Sequence, residues 1–154
     1  MTRPTFPEVF MDLAVNLARR STCSRAKVGC VITSIDHHQV FAIGYNGSAA
    51  GLENGCDSAT VGGCGCLHAE ENACIHCDAP RGEPKRVYTT MLPCKMCAKR
   101  LINLGGVVEV IYLHDYRLRE SIAMFRRVGI RIVPLIQPTN EEVDPNDVKD
   151  DSNA

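Results

Sequence analysis

Two short segments hold the side chains best able to act on a substrate together. One is Leu67-His68-Ala69-Glu70, and the other is Leu92-Pro93-Cys94-Lys95-Met96-Cys97. Cys94 and Cys97 are spaced so that, on a helix, both thiols share one face and can grip a single ion. The N-terminus of a helix favours the thiolate that Zn2+ requires. His68 supplies a neutral third ligand. Two thiolates and an imidazole neutralise a divalent ion and leave a fourth corner for water, the open arrangement of a catalytic site rather than a closed structural one. Glu70 follows His68 by two residues, so it can stand beside that water without becoming a ligand. A carboxylate so placed can take a proton from the water and return it to a leaving group. A Cys-x-x-Cys pair alone would equally suit a zinc ribbon or a redox couple. A ribbon needs four ligands and no adjacent Glu, and a redox couple has no use for His68.

These segments must be held by a scaffold that the apolar pattern outlines. Pro7 to Arg20 reads as an amphipathic helix, with Val9, Phe10, Leu13, Leu17 and Ala18 on its inner side. Lys27 to Thr33 and Val40 to Ile43 form a hairpin around Asp36-His37-His38-Gln39, where His37 and His38 are expected in solvent. A Gly-, Asn- and Ser-rich stretch runs from Gly44 to Cys66, too long for a bare turn. His68 to Cys77 is a helix that Pro80 and Gly82 end, and Arg86 to Met91 a strand. Pro93 opens a helix to Leu104, which Gly105-Gly106 stops. Val107 to Leu113 is a strand. Arg117 to Val128 is a helix burying Leu118, Ile122, Phe125 and Val128, and Ile130 to Leu135 is a last strand. The order predicts an α/β fold, a three-layer α/β/α sandwich with a mixed five-stranded sheet. One folded domain is expected over 1–138, and 139–154 is an acidic tail.

Composition narrows the function. The 154 residues are 45% apolar, enough for one domain's core, with 17 Lys plus Arg against 18 Asp plus Glu. The last 16 residues hold six acidic side chains and one Lys, so the body keeps 16 basic and 12 acidic groups, a net charge of about +4. That suits an anionic small molecule better than nucleic acid, and the scarcity of aromatic rings (no Trp, four Tyr, four Phe) argues against stacking on single strands. The start MTRPTFPEVF lacks the apolar core of a signal peptide, and no apolar run reaches membrane-spanning length. The expectation is a cytoplasmic chain, in the host cytoplasm if its source is viral, with no membrane partner. Nine cysteines in a reducing compartment then point to metal or catalysis rather than disulfides. Cys30, Cys74 and Cys77 read as core, with Cys74 on the apolar side beside Ile75. His76 and His114 have no evident partner.

The pattern H-x-E…P-C-x-x-C is that of zinc-dependent nucleobase deaminases, in which the activated water attacks C4 of cytosine. At these residues the sequence resembles the cytidine/deoxycytidylate deaminase superfamily, and within it the deoxycytidylate deaminases, phage enzymes among them. The likeness runs from about Val9 to Leu135 and includes Cys23-Ser24-Arg25-Ala26-Lys27-Val28-Gly29, Gly44-Tyr45-Asn46-Gly47, Tyr88-Thr89-Thr90 and Tyr112-Leu113-His114-Asp115-Tyr116. It implies conversion of dCMP to dUMP by a homohexamer activated by dCTP and inhibited by dTTP, with Mg2+ only as the companion of a bound triphosphate. His68, Cys94 and Cys97 would hold the catalytic Zn2+, and Glu70 would shuttle protons. Ala69 and Asn46 would lie against the substrate, and Asn46 and Gly47 would form part of an effector site near G-Y-N-G. Tyr116 would stack near the base or reach the phosphate. Arg25 is the preferred phosphate ligand, because a guanidinium meets phosphate oxygens in bidentate fashion, and Arg117 is the second choice.

The resemblance also implies a second, structural zinc in some members. Here the corresponding positions hold Cys23, Cys56 and Cys66, with Cys64 as a fourth, a closed all-thiolate set that would order the Gly-rich segment. The departure is that familiar versions use His or Glu at some of these places. Two other readings stand beside the dCMP deaminase: a zinc deaminase of cytidine, guanine, a riboflavin precursor or transfer-RNA adenosine, and a zinc-stabilised binding module without catalysis.

Overall fold

The structure, a computed structural model, describes residues 2–58 and 63–136. The first helix begins where a capping box dictates. The Thr5 N–H donates to Glu8 Oε2 at 2.6 Å, and the Glu8 N–H donates to Thr5 Oγ1 at 3.4 Å. The order is then α1 (Phe6–Ala18), β1 (Gly29–Ser34), β2 (Val40–Tyr45), α2 (Ala69–Ile75), β3 (Lys85–Met91), α3 (Lys95–Leu104), β4 (Val107–His114), α4 (Glu120–Arg127) and β5 (Arg131–Pro134). It is the expected order, in a sheet arranged β2-β1-β3-β4-β5. β1 runs antiparallel to both β2 and β3, while β3, β4 and β5 are parallel.

Register sorts the strands into two cores. The lateral row Val31, Tyr88, Ile111 and Val133 faces α1, where Phe10, Met11 and Ala14 meet it. The alternate row Ile32, Val87, Val110 and Ile132 faces α2, α3 and α4, through Ala73, Leu101 and Phe125. This is the three-layer α/β/α sandwich. Among the described residues no helix is long and apolar enough to cross a membrane.

Two glycines bring the helices unusually close. A Cβ on Gly29 would lie 1.9 Å from the Ala14 carbonyl oxygen, and one on Gly44 would lie 2.2 Å from that of Ala69. Backbone therefore rests on backbone, and small residues must face the sheet. For this reason α1 buries Phe10, Met11, Ala14 and Ala18, and leaves Val9, expected inside, exposed. Likewise α2 buries Ala69, Glu70 and Ala73, so Cys74 is only half-buried and Ile75 is 67% exposed rather than core.

Three further expectations are corrected. α3 starts at Lys95, not Pro93, because Cys94 keeps an extended backbone and its Sγ accepts the Cys97 N–H at 3.5 Å, serving as the N-cap. α4 starts at Glu120, not Arg117. Leu118 thus precedes the helix and Val128 caps its end, both half exposed, and Ser121 and Phe125 take the buried positions. His38 is exposed as expected, but His37 is partly covered rather than fully in solvent. Its positive φ of 67° turns the imidazole onto Phe6, with ring centroids 4.7 Å apart. The expected tail, 139–154, lies outside the described residues.

Candidate active site and metal centres

The two chemically active segments open neighbouring helices at the same end of the sheet. His68 is the N-cap of α2, extended at φ −74° and ψ 157°, and Cys94 is the N-cap of α3. Cys97 follows in the first turn of α3. His68 Nδ1 lies 3.6 Å from Cys94 Sγ and 3.3 Å from Cys97 Sγ. Zinc–sulfur and zinc–nitrogen bonds of about 2.3 and 2.05 Å at a tetrahedral angle place N and S about 3.5 Å apart. The donor set therefore fits a tetrahedral ion with three protein ligands. The Cys97 hydrogen bond holds Cys94 down at about 3, and the same bond, with burial, pushes Cys97 up. Such a pair yields both thiolates to a cation.

Glu70 lies in the first turn of α2 with only 4% of its surface exposed. Burial raises its carboxyl to about 7, partly offset by its hydrogen bonds and by His68. It is a buried group able both to accept and to give a proton near neutral pH.

The second thiol group also closes. Cys23 Sγ is 3.6 Å from Cys56 Sγ and 3.9 Å from Cys64 Sγ, and with Cys66 all four sulfurs lie within 4.8 Å of one another. Tetrahedral zinc–thiolate geometry sets sulfurs about 3.8 Å apart. The Arg25 N–H donates to Cys23 Sγ at 3.5 Å, and Ser24 Oγ lies 3.4 Å from Cys56 Sγ. The Ser24 contacts hold Cys56 down at about 6, whereas burial pushes Cys66 up.

One cavity of about 400 Å³ joins the two groups. Its lining includes Cys23, Cys64 and Cys66 together with His68, Ala69, Glu70 and Cys94. Arg25, Asn46, Tyr116 and Arg117 line it too, so the expected substrate residues converge. Their environments differ. Asn46 is buried, its Oδ1 accepting the Val28 N–H at 2.8 Å and its Nδ2 donating to the Ala26 carbonyl at 2.7 Å, so it shapes the loop that carries Arg25. Arg25 Nη2 donates to the Ser58 carbonyl at 3.0 Å. The Arg117 guanidinium sits 5.9 Å from the centre of the Tyr116 ring. Gly47 is not in the lining; its backbone pairs with Leu67 in a short bridge that fixes the approach to His68.

Sequence reasoning overlooked the support of α2. Glu71 Oε2 accepts the His68 N–H at 2.9 Å, and the Asn72 amide donates to the Tyr45 carbonyl at 2.8 Å. The position of Glu71, three residues after the N-cap, is a legible capping signal. Asn72 has none.

The cytidine and deoxycytidylate deaminase zinc-binding region matches residues 4–114. The deoxycytidylate deaminase of Saccharomyces cerevisiae is 36% identical over 144 residues, covering 86% of this chain and 45% of that protein. The chain thus spans about half the length of its yeast relatives. The deoxycytidylate deaminase of Mycobacterium phage D29 is 35% identical over 128 residues, covering 73% of this chain and 97% of the phage protein. The dCMP deaminase of cyanophage S-TIM5, solved in complex with dCMP and dUMP, is similar with a TM-score of 0.77 at 26% identity, covering 88% of this chain and 100% of that one.

Proposed function

The chain belongs to the cytidine and deoxycytidylate deaminase family, and from that premise we propose that it hydrolyses dCMP to dUMP and ammonia. The observation that carries this reading is one cavity lined by His68, buried Glu70 and Cys94 together with Arg25 and Arg117, with Cys97 within 4.8 Å of the other two donors. The dCMP and dUMP named for the S-TIM5 enzyme support the choice of nucleotide.

His68, Cys94 and Cys97 would hold Zn2+, which would supply the Lewis acidity that makes water a nucleophile near neutral pH. Glu70 takes a proton from the attacking water as the water's oxygen bonds to C4 of the cytosine. It passes the proton to the ring nitrogen, takes the second one, and gives it to the exocyclic amine, so that the C4–N bond breaks and ammonia leaves. The raised carboxyl of Glu70 suits both directions of transfer. Arg25, with Arg117 behind it, orients the phosphate, and Tyr116 walls the pocket that receives the base.

Cys23, Cys56, Cys64 and Cys66 form a second, structural Zn2+ site in this reading, supported by their mutual approach within 4.8 Å. The likeness at Gly44-Tyr45-Asn46-Gly47 extends the reading to a homohexamer regulated by dCTP and dTTP, with Mg2+ accompanying the triphosphate. Sedimentation of the full chain with and without dCTP measures that part separately.

The test of substrate is loss of cytosine absorbance with dCMP beside deoxycytidine. A charge-assisted contact to phosphate contributes about 1.5–3 kcal/mol, so kcat/KM should favour the nucleotide by at least about 10-fold. Equal or faster turnover of deoxycytidine would remove the phosphate-reading assignment.

A further inference from the structure

One carboxylate outside the cavity connects both helices that carry the catalytic donor set. Glu71 Oε2 accepts the backbone N–H of His68 at 2.9 Å, and Glu71 Oε1 pairs with Arg100 Nη2, also at 2.9 Å. Arg100 lies three residues beyond Cys97, one turn further along the same side of α3. The two oxygens thus reach, respectively, the residue that presents the imidazole and the helix that presents the thiols. Neither Glu71 nor Arg100 lines the substrate cavity; both line a shallow groove between α2 and α3 on another face. They have no route to the reacting atoms.

The helix they hold needs holding. α2 has only seven residues, too few to stand alone, and its sheet-facing residues Ala69 and Ala73 are small and offer little grip. Asn72 ties it to the end of β2 through the Tyr45 carbonyl. Toward α3, the Glu71–Arg100 pair adds a polar tie outside the donor set itself. We propose that Glu71 and Arg100 form a positioning clamp that sets the distance between the His68 imidazole and the Cys94 and Cys97 thiols. The proposal rests on the reading of those three residues as the catalytic metal ligands. Partners that orient metal ligands from behind typically govern about 10–100-fold in metal affinity. The same pair contributes little to folding, because Arg100 is 42% exposed and an exposed ion pair is screened.

The test uses the full chain with Glu71→Ala, Glu71→Gln, Arg100→Ala and the double variant. Metal release to a coloured chelator is followed, and the phase belonging to the catalytic set is identified by its loss in Cys97→Ser. Glu71→Ala should weaken that phase about 10–100-fold and shift the visible bands of the Co2+-substituted site, with KM for dCMP within twofold of the parent. Glu71→Gln should restore part of the affinity, since its amide oxygen still accepts the His68 N–H while the charge facing Arg100 is gone. The double variant should be no weaker than Glu71→Ala, because both changes break one clamp. Release and Co2+ bands within twofold of the parent in both Glu71→Ala and Arg100→Ala would overturn the clamp alone. A release profile unchanged in Cys97→Ser would instead overturn the metal assignment, and the clamp with it.

Discussion

Gly44→Ala tests how the sheet positions the catalytic helix. Gly44 sits in β2 opposite Cys30, with the backbone of α2 laid directly on it. A Cβ there would lie 2.2 Å from the Ala69 carbonyl oxygen, 2.6 Å from the Ala73 nitrogen and 3.1 Å from the Ala73 Cα. All three are main-chain atoms, so no side chain can swing aside. Since ordinary contact begins at 3.4 Å, α2 must retreat by about 1 Å. The clash falls on α2 alone, so the seam between α2 and α3, with its Glu71–Arg100 pair, must absorb the shift. The His68-to-thiol separations of 3.3 and 3.6 Å would then change by several times the ±0.2 Å tolerance of a metal site, and Glu70 would move with them. Overpacking of this kind costs about 1–3 kcal/mol, and a displacement near 1 Å costs about 100-fold in rate. The assay is dCMP turnover with metal content and Tm on the same samples. Gly82→Ala, where a Cβ meets nothing within 4 Å, serves as the control. If Gly44→Ala kept its metal and half its turnover, the close approach would have no part in aligning the site.

The remaining predictions concern the two donor sets. Glu70→Gln should fold and keep its metal while kcat falls about 10²–10⁴-fold, since an amide cannot carry the proton; turnover above a tenth of the parent would remove Glu70 from the proton path. Elemental analysis should give about two zinc ions per chain, and Cys64→Ser about one, with the His68 site still loaded. A parent value near one would dissolve the second site.

Much of this arrangement is legible in the residues, for identifiable reasons. Zinc favours Cys and His, and their spacing on helix starts is rigid, so the donor set His68, Cys94 and Cys97 can be read from the sequence. The strands are equally legible, because their apolar runs are bounded by turns. Helix faces are less so. The pattern of large side chains selects Val9, Leu118 and Val128 for burial, whereas close backbone contact at Gly29 and a later start of α4 turn other positions inward. A hydrophobic stripe cannot reveal that small residues win when backbones touch. Asn46 illustrates the limit within the site. Its neighbours suggest a ligand contact, and it does line the cavity, but its carboxamide also holds the Val28 N–H and Ala26 carbonyl, contacts that exist only once β1 and β2 have paired.

In the proposed reading Arg25 lies where the two donor groups and the substrate would meet, and its roles can be separated. Four thiolates around a divalent ion leave an excess negative charge on the wall that must receive a phosphate, an unfavourable pairing unless something cationic intervenes. Arg25 is placed to do so: its N–H donates to Cys23 Sγ, its guanidinium holds the Ser58 carbonyl, and it lines the cavity. Removing the side chain would disturb charge, loop and phosphate at once. Arg25→Lys separates them, because the backbone N–H and the positive charge remain while the planar fork is lost. Zinc content should then be unchanged, KM for dCMP should rise by about 10-fold, and turnover of deoxycytidine should hold steady. A parallel fall for nucleotide and nucleoside would show that Arg25 serves the loop, leaving the phosphate to Arg117 beside Tyr116.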